Sequence, residues 1–173
     1  MIGKHVFLRA VELSDVDVLF QLENDPSIWS LSETIMPFSR FAIEQYVMNS
    51  STQDVFTAKQ LRLIVCENTD KNIVGTVDIY DFNPMHQRAG VGILILEPYR
   101  RKGYASEALQ LLMHYAFSVL QLHQLYANIS ADNVASIALF TQIGFEQTGR
   151  RKAWHKKNMN RIDELFFQYI RKE

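Results

Sequence analysis

Glu97-Pro98-Tyr99-Arg100-Arg101-Lys102-Gly103-Tyr104-Ala105-Ser106 joins an apolar run, residues 91–96, to a helical pattern in which Ala105, Ala108, Leu109, Leu112, Tyr115, Ala116, Val119 and Leu120 share one face. The apolar run has the length and composition of a buried strand. A strand, a basic glycine turn and a helix therefore follow one another, and three cations cluster where the helix begins. Helix starts present N–H groups without intrahelical partners and a partial positive charge, which suits an anion and above all a phosphate. Gly103 has no Cβ to hold an anion off the backbone. Arg100, Arg101 and Lys102 add side-chain donors. The turn reads as a pyrophosphate cradle, although the same residues would also serve as a solvated linker before an ordinary helix. The chain contains neither a glycine-rich dinucleotide fingerprint nor a Gly-Lys-Ser/Thr phosphate loop.

Outward from this turn, residues 5–10 read as a short strand, and Ser14 can cap a helix carrying Val16, Leu19, Phe20 and Leu22 that Asp25-Pro26 stops. A second helix begins near Ser39. Residues 61–67 and 73–80 read as strands joined by the turn 68–72, and a turn around Asn83-Pro84 leads into the strand 88–96. After the long helix come a strand at 125–130, a helix from Asn133 that stops before Gly144, and closing strands at 145–150 onward and 162–170. This order, β-α-α-β-β-β-α-β-α-β-β, predicts an α/β (α+β) fold: one mixed sheet with helices on both faces. No repeat, low-complexity tract or linker divides the chain, so residues 1–173 are expected to form a single domain.

The 173 residues are 47% apolar and 21% charged, a globular balance with enough length for a sizeable core. No apolar stretch is long enough to span a bilayer, so no membrane role is expected. The start lacks a signal-peptide core before Arg9, and a single cysteine cannot form an internal disulfide; both point to a reducing cytoplasm. Cys66 itself reads as a small buried hydrophobe rather than a nucleophile. Residues 1–88 carry 7 bases against 12 acids, a net −5, and residues 89–173 carry 11 bases against 7 acids, a net +4. Such a split would draw an anionic cofactor to one side and a cationic amine to the other, unless the charges are merely scattered over the surface. The basic run Arg150-Arg151-Lys152 with His155-Lys156-Lys157 belongs to no nucleic-acid-binding module, so a solvated hairpin and no nucleic acid are expected.

Arg100-x-x-Gly103-x-Ala105, after an apolar strand and opening a helix, resembles the acetyl-CoA signature of the GNAT superfamily of N-acetyltransferases. About thirty residues on, Asn133 to Phe145 (Asn-Val-Ala-Ser-Ile-Ala-Leu-Phe-Thr-Gln-Ile-Gly-Phe) resembles the family's second segment. The tail Asn158-Met159-Asn160-Arg161-Ile162-Asp163-Glu164-Leu165 is similar to the turn and last strand of one branch, that of the ribosomal-protein N-terminal (alanine) acetyltransferases and spermidine N-acetyltransferases. Leu8-Arg9-Ala10 followed by Ser14-Asp15 is similar to the same branch's first strand and helix start. These four ordered segments span nearly the whole chain.

The resemblance implies a mostly antiparallel sheet whose central strands splay, with acetyl-CoA as co-substrate and no metal. Pantetheine would lie in the gap as a pseudo-strand, paired to the exposed amides of Ile93, Leu94, Ile95 and Leu96, one of which would stabilise the thioester oxyanion. Gly90 and Gly92 would favour a bulge that opens this edge, or else close packing against the helix. N–H groups of Arg101, Lys102, Gly103, Tyr104, Ala105 and Ser106 would hold the pyrophosphate, with Arg100 and the Ser106 hydroxyl as further donors. Asn133 is a helix cap by its position and a pantetheine contact by the resemblance. The acceptor amine has to lose a proton, which calls for a carboxylate, directly or through water. Asp78 and Glu33 resemble acidic residues of the spermidine enzymes in position, and Asp81 is a third candidate. A glutamate that the branch often carries on the strand is here Gly90. Phe140 stands where many members have a tyrosine that protonates the departing thiolate, so it can only line the thioester pocket, with Ser136 one turn earlier as a relay for water. Trp29 and Phe38 are candidates either for the acceptor wall or for core packing. The expected reaction is acetyl transfer to a small-molecule or peptide primary amine, polyamine-like or an N-terminus, by direct attack in a ternary complex. A degenerate acetyl-CoA sensor and an acyltransferase using another acyl-CoA are the alternatives. The branch leaves a homo-oligomer open.

Overall fold

Among the residues described by the computed structural model (1–32 and 34–172, without the side chains of 30–32), seven strands form one sheet. They are β1 (Val6–Ala10), β2 (Leu61–Glu67), β3 (Ile73–Asn83), β4 (Arg88–Ile95), β5 (Gln124–Ser130), β6 (Glu146–Lys157) and β7 (Asn160–Ile170). Their spatial order is β1-β2-β3-β4-β5-β7-β6. Every pairing is antiparallel except that of β4 with β5. The helices are α1 (Val16–Glu23), α2 (Pro26–Ser32), α3 (Arg40–Thr52), α4 (Val55–Ala58), α5 (Tyr104–Ser118) and α6 (Val134–Gln142). This is the mixed, mostly antiparallel architecture expected, and its strands lie where the sequence pattern puts them.

Strand alternation gives the sheet two apolar faces. On one, Leu63, Val65, Val77, Ile79 and Val91 pack under Ala108, Leu109, Leu112 and Ala116 of α5 and Phe140 of α6. On the other, Ile64 and Cys66 pack against Val16 and Leu19 of α1 and Ile43 and Val47 of α3. Cys66 is buried there and burial pushes its thiol pKa up, so it is a packing residue.

Some elements differ from the expectation. The Asp25-Pro26 stop does end α1, but Pro26 immediately opens α2, where a missing N–H costs nothing at the first helical position. α4 is a single turn capped by Asp54, whose carboxylate accepts from Thr57 N–H at 2.8 Å; so short a helix has no periodicity to read. β3 runs on to Asn83 past an irregularity after Tyr80. Ser14 is not the cap of the first helical turn. Glu12 is, and Asp15, third in that turn, closes a capping box by accepting Glu12 N–H at 2.8 Å while Arg9 grips both its oxygens at 2.7 Å. Asp15 is 1% exposed. Burial raises its pKa, and the hydrogen bonds from Arg9 and Glu12 more than reverse that, leaving it low.

Asp15→Ala strands Arg9 in a partly buried site and should cost about 2–4 kcal/mol in urea unfolding. Because the folded-state pKa of Asp15 is depressed, the wild-type advantage is present at neutral pH and disappears as pH falls through that value; the two stabilities should converge in acid.

Candidate active site

β4 pairs with β3 along its length but meets β5 only at Arg88–Gly90 against Gln124–Tyr126. Beyond Gly90 the two strands part. Leu96 N–H donates to Val74 O at 2.9 Å. In an antiparallel ladder alternate residues turn both backbone groups to the same side, so Gly92 and Leu94 also face β3. Val91, Ile93 and Ile95 therefore face the gap. Arg100 Nε donating to Ile95 O at 3.0 Å agrees with that orientation. Of the four expected pantetheine partners, Ile93 and Ile95 present N–H groups to the gap. Leu94 and Leu96 do not, because β3 has claimed their backbone, and only their side chains remain for that region.

The turn at the end of β4 opens α5. Its first hydrogen bond runs from Glu107 N–H to Gly103 O at 3.2 Å, so the N–H groups of Tyr104, Ala105 and Ser106 point out of the helix end. Arg101 (φ 62°) and Gly103 (φ 81°) are both left-handed, the kind of turn that brings successive N–H groups to one side and makes an anion cradle. A Cβ at 103 would meet nothing within 4 Å, so what demands glycine there is the backbone angle and the open approach, not packing. Arg100 differs from the expectation in spending its Nε on Ile95 O, which ties the turn to the strand. Lys102 Nζ lies 5.2 Å from the Tyr99 ring. Tyr104 sends its hydroxyl to Glu67 at 3.3 Å, which leaves its amide for the cradle.

The gap opens into a cavity of about 920 Å³ lined by Asp78, Gly92, Ile93, Asn133, Ser136 and Phe140 among others. Asn133 caps α6, its side-chain oxygen accepting Ser136 N–H at 3.1 Å. Phe140 is 3% exposed and edge-on to Phe145 at 5.0 Å. Asp78, opposite Gly92 in register, accepts from Arg62 Nε at 2.6 Å, and Arg62 Nη1 bonds Glu23 of α1. Burial pushes the Asp78 pKa up and Arg62 draws it back, with a net rise. Across the cavity Glu164, 5% exposed, is held by Arg151 and by His155 Nε2 at 3.0 Å. Each wall thus combines carboxylates with cations.

Asp81 sits at the rim, exposed and left-handed (φ 49°), accepting from Tyr126 hydroxyl at 3.2 Å. Glu33 lies outside the described residues. Phe38 lines the cavity, whereas Trp29 turns its indole N–H back to Glu23 O at 2.8 Å. Neither Gly90 nor Gly92 forms a bulge; the register shift is in β3, and Gly90 packs under the Tyr80 ring rather than a helix. The basic hairpin is solvated only in part: Arg150 pairs with Asp163 and Lys157 with Asp132 at the surface, whereas Arg151 and His155 line the cavity on Glu164. Sequence reasoning passed over Glu23, Arg62, Tyr80, Asn128 and Glu164. Arg62 had a signal, being the one cation in an otherwise apolar run that ends at Glu67.

A parted pair of strands leading from a helix-start cradle to a cavity fits an extended, amide-bearing thiol ester of a nucleotide. Residues 5–146 match the family model of the acetyltransferase (GNAT) domain. The chain belongs to the GNAT acetyltransferase family. It is similar to the spermidine N(1)-acetyltransferase of Vibrio cholerae, with 28% identity over 144 residues covering 82% of this chain and 79% of that protein. The Escherichia coli spermidine N(1)-acetyltransferase is 29% identical over 144 residues, covering 83% and 74%. Among solved structures, the Vibrio cholerae spermidine N-acetyltransferase in complex with CoA and spermine has a TM-score of 0.84 and 23% identity over 95% of each chain. As a GNAT enzyme the protein is an acetyl-CoA-dependent N-acetyltransferase. No helix among the described residues is long and apolar enough to cross a membrane.

Gly103→Val forces a branched side chain into left-handed backbone and crowds the cradle. In calorimetric titration it should weaken acetyl-CoA binding at least about tenfold, and the upward thermal shift that acetyl-CoA gives the wild type should shrink accordingly. An unchanged shift would remove the cradle from the site.

Proposed function

We propose that residues 1–173 form one catalytic domain that acetylates a primary amine of a polyamine-like acceptor by direct attack within a ternary complex. The observation that carries this reading is the continuity of three features: the N–H cradle at α5, the gap-facing amides of Ile93 and Ile95, and a cavity lined by Asp78. The spermidine substrates of the curated relatives support a polyamine over a peptide N-terminus. The dodecameric Vibrio cholerae enzyme supports a homo-oligomer, and the cytoplasm is the compartment that suits this chemistry.

Each role follows from position. Main-chain N–H groups from Arg101 to Ser106 bind the pyrophosphate, and Arg100 stiffens their turn. Ile93 or Ile95 N–H donates to the thioester oxygen as negative charge gathers there. Asn133 and Ser136 flank the cofactor arm. Asp78 takes a proton from the incoming ammonium, directly or through water; its burial raises its basicity toward that task, while Arg62 and Glu23 fix its orientation. Phe140 walls the thioester pocket and leaves thiolate protonation to water near Ser136, which a thiol with an ordinary pKa of roughly 8.5 tolerates.

Phe140 also gives a second reading its one support: an acetyl-CoA-binding module without turnover. Thiol release from acetyl-CoA in the presence of spermidine, spermine, amino acids and short peptides separates the two, and release with polyamines is the expected result.

Asp78→Asn should lower kcat by about 10²–10⁴. Because a raised pKa means that the carboxylate is lost as pH falls through it, wild-type activity should climb with pH on the acid side, and the variant should lack that limb. Phe140→Tyr should raise kcat at neutral pH if thiolate protonation limits turnover; an unchanged or lower kcat would show that water already suffices.

A further inference from the structure

The gap between β4 and β5 has an end wall. The parallel ladder closes at Gly90 opposite Tyr126. Tyr80 is the register partner of Gly90 on β3, and its ring lies across the glycine. A Cβ at position 90 would overlap the ring at Cε2 and Cζ and sit 2.7 Å from Cδ2, so no larger residue fits beneath it. The hydroxyl lies on the side of the far strand, beside Asn128 and its main-chain amide. That main-chain amide belongs to the gap. Arg171 N–H donates to His123 O and Ala131 N–H to Asp163 O, both at 2.9 Å, so the odd-numbered residues of β5 face β7. Asn128 faces the other way, as the first gap-facing amide of β5 beyond Tyr126. Tyr126 in turn meets the Tyr80 ring edge-on at 5.8 Å and 85°. Tyr80 is therefore held along its ring by Gly90 beneath it and Tyr126 beside it, and burial pushes its pKa up to about 12, so its hydroxyl is neutral.

We propose that Tyr80, lying over Gly90, is the end stop of the gap and limits the transferred acyl group to two carbons. The inference rests on the acetyl-transfer reading above. The cradle stands at the carboxyl end of β4, so an arm anchored there runs back along the strand toward Gly90 with its acyl group leading. A four-carbon acyl group would have to displace a ring packed on a glycine, on Tyr126 and on Asn128. An acetyl group stops short of it.

The test compares acetyl-, propionyl- and butyryl-CoA, by Kd in calorimetry without acceptor and by kcat/KM with spermidine. Wild type should favour acetyl- over butyryl-CoA at least about tenfold in both measures. Tyr80→Ala should shift that ratio toward butyryl-CoA by about tenfold or more, since each buried methylene is worth about fourfold. Tyr80→Phe should hold the ratio close to the wild-type value, because the ring is the stop. A wild type that binds butyryl-CoA as tightly as acetyl-CoA overturns the proposal without any variant. An unmoved ratio in folded Tyr80→Ala also overturns it, while acetyl transfer to the amine stands. If no acyl-CoA binds, the acetyl-transfer reading fails and the end stop with it.

Discussion

The separation of β4 from β5 past Gly90 is the constraint on which the rest depends. A sheet interior normally satisfies every backbone N–H and C=O with its neighbour strand, and leaving such groups without partners costs free energy. Here the separation leaves Val91, Ile93 and Ile95 facing a gap instead of a strand. The fold can sustain this because both sides are separately anchored. β4 is locked to β3 over its length, and β5 is locked to β7 from Gln124 to Ser130. Arg100 satisfies one open acceptor, Ile95 O, and at the vertex the Tyr80 ring closes over Gly90 against Tyr126. What remains unsatisfied is a short ladder of donors and acceptors spaced for an extended chain of amides.

A second constraint is the polar group placed beside that gap. Arg62 is a lone cation in an apolar strand, and it sits between Glu23 and Asp78 on the face that packs against α1 and α3. Burying any one of these charges alone would be expensive, whereas together they satisfy one another. The consequence for chemistry is that Asp78 is oriented from behind while its neighbour across the pleat, Gly92, adds no side chain over it. Desolvation raises the carboxyl's proton affinity, and Arg62 opposes that rise.

Legibility in the sequence divided along physical lines. Elements with sustained periodicity and apolar runs were readable: the strands, α3 from its Ser39 cap, and α5 with its glycine-led start. The basic turn before α5 was readable as a cradle or as a solvated linker, and the left-handed angles of Arg101 and Gly103 are what the structure adds. The single-turn α4 and the helix opened by Pro26 carried no period to detect. Two properties were out of reach for a different reason. Which amides of β4 face the gap depends on pairing phase, and only the hydrogen bond from Leu96 to Val74 reveals it. The role of Gly90 depended on a side chain ten residues upstream, on another strand, whose reach to Asn128 no local pattern encodes.

That division bears on why chains with fewer than three identical residues in ten share this architecture. Cofactor recognition here is assigned chiefly to main-chain N–H groups, whose placement needs a strand phase, a helix start and one left-handed glycine but few particular side chains. The proposed acceptor side is different. Glu23, Arg62, Asp78 and Glu164 meet there through side chains drawn from α1, β2, β3 and β7, so any one substitution alters charge and shape together. Selection on the acceptor can thus reshape one wall of the cavity while the opposite wall, built from backbone, keeps its grip on the same donor.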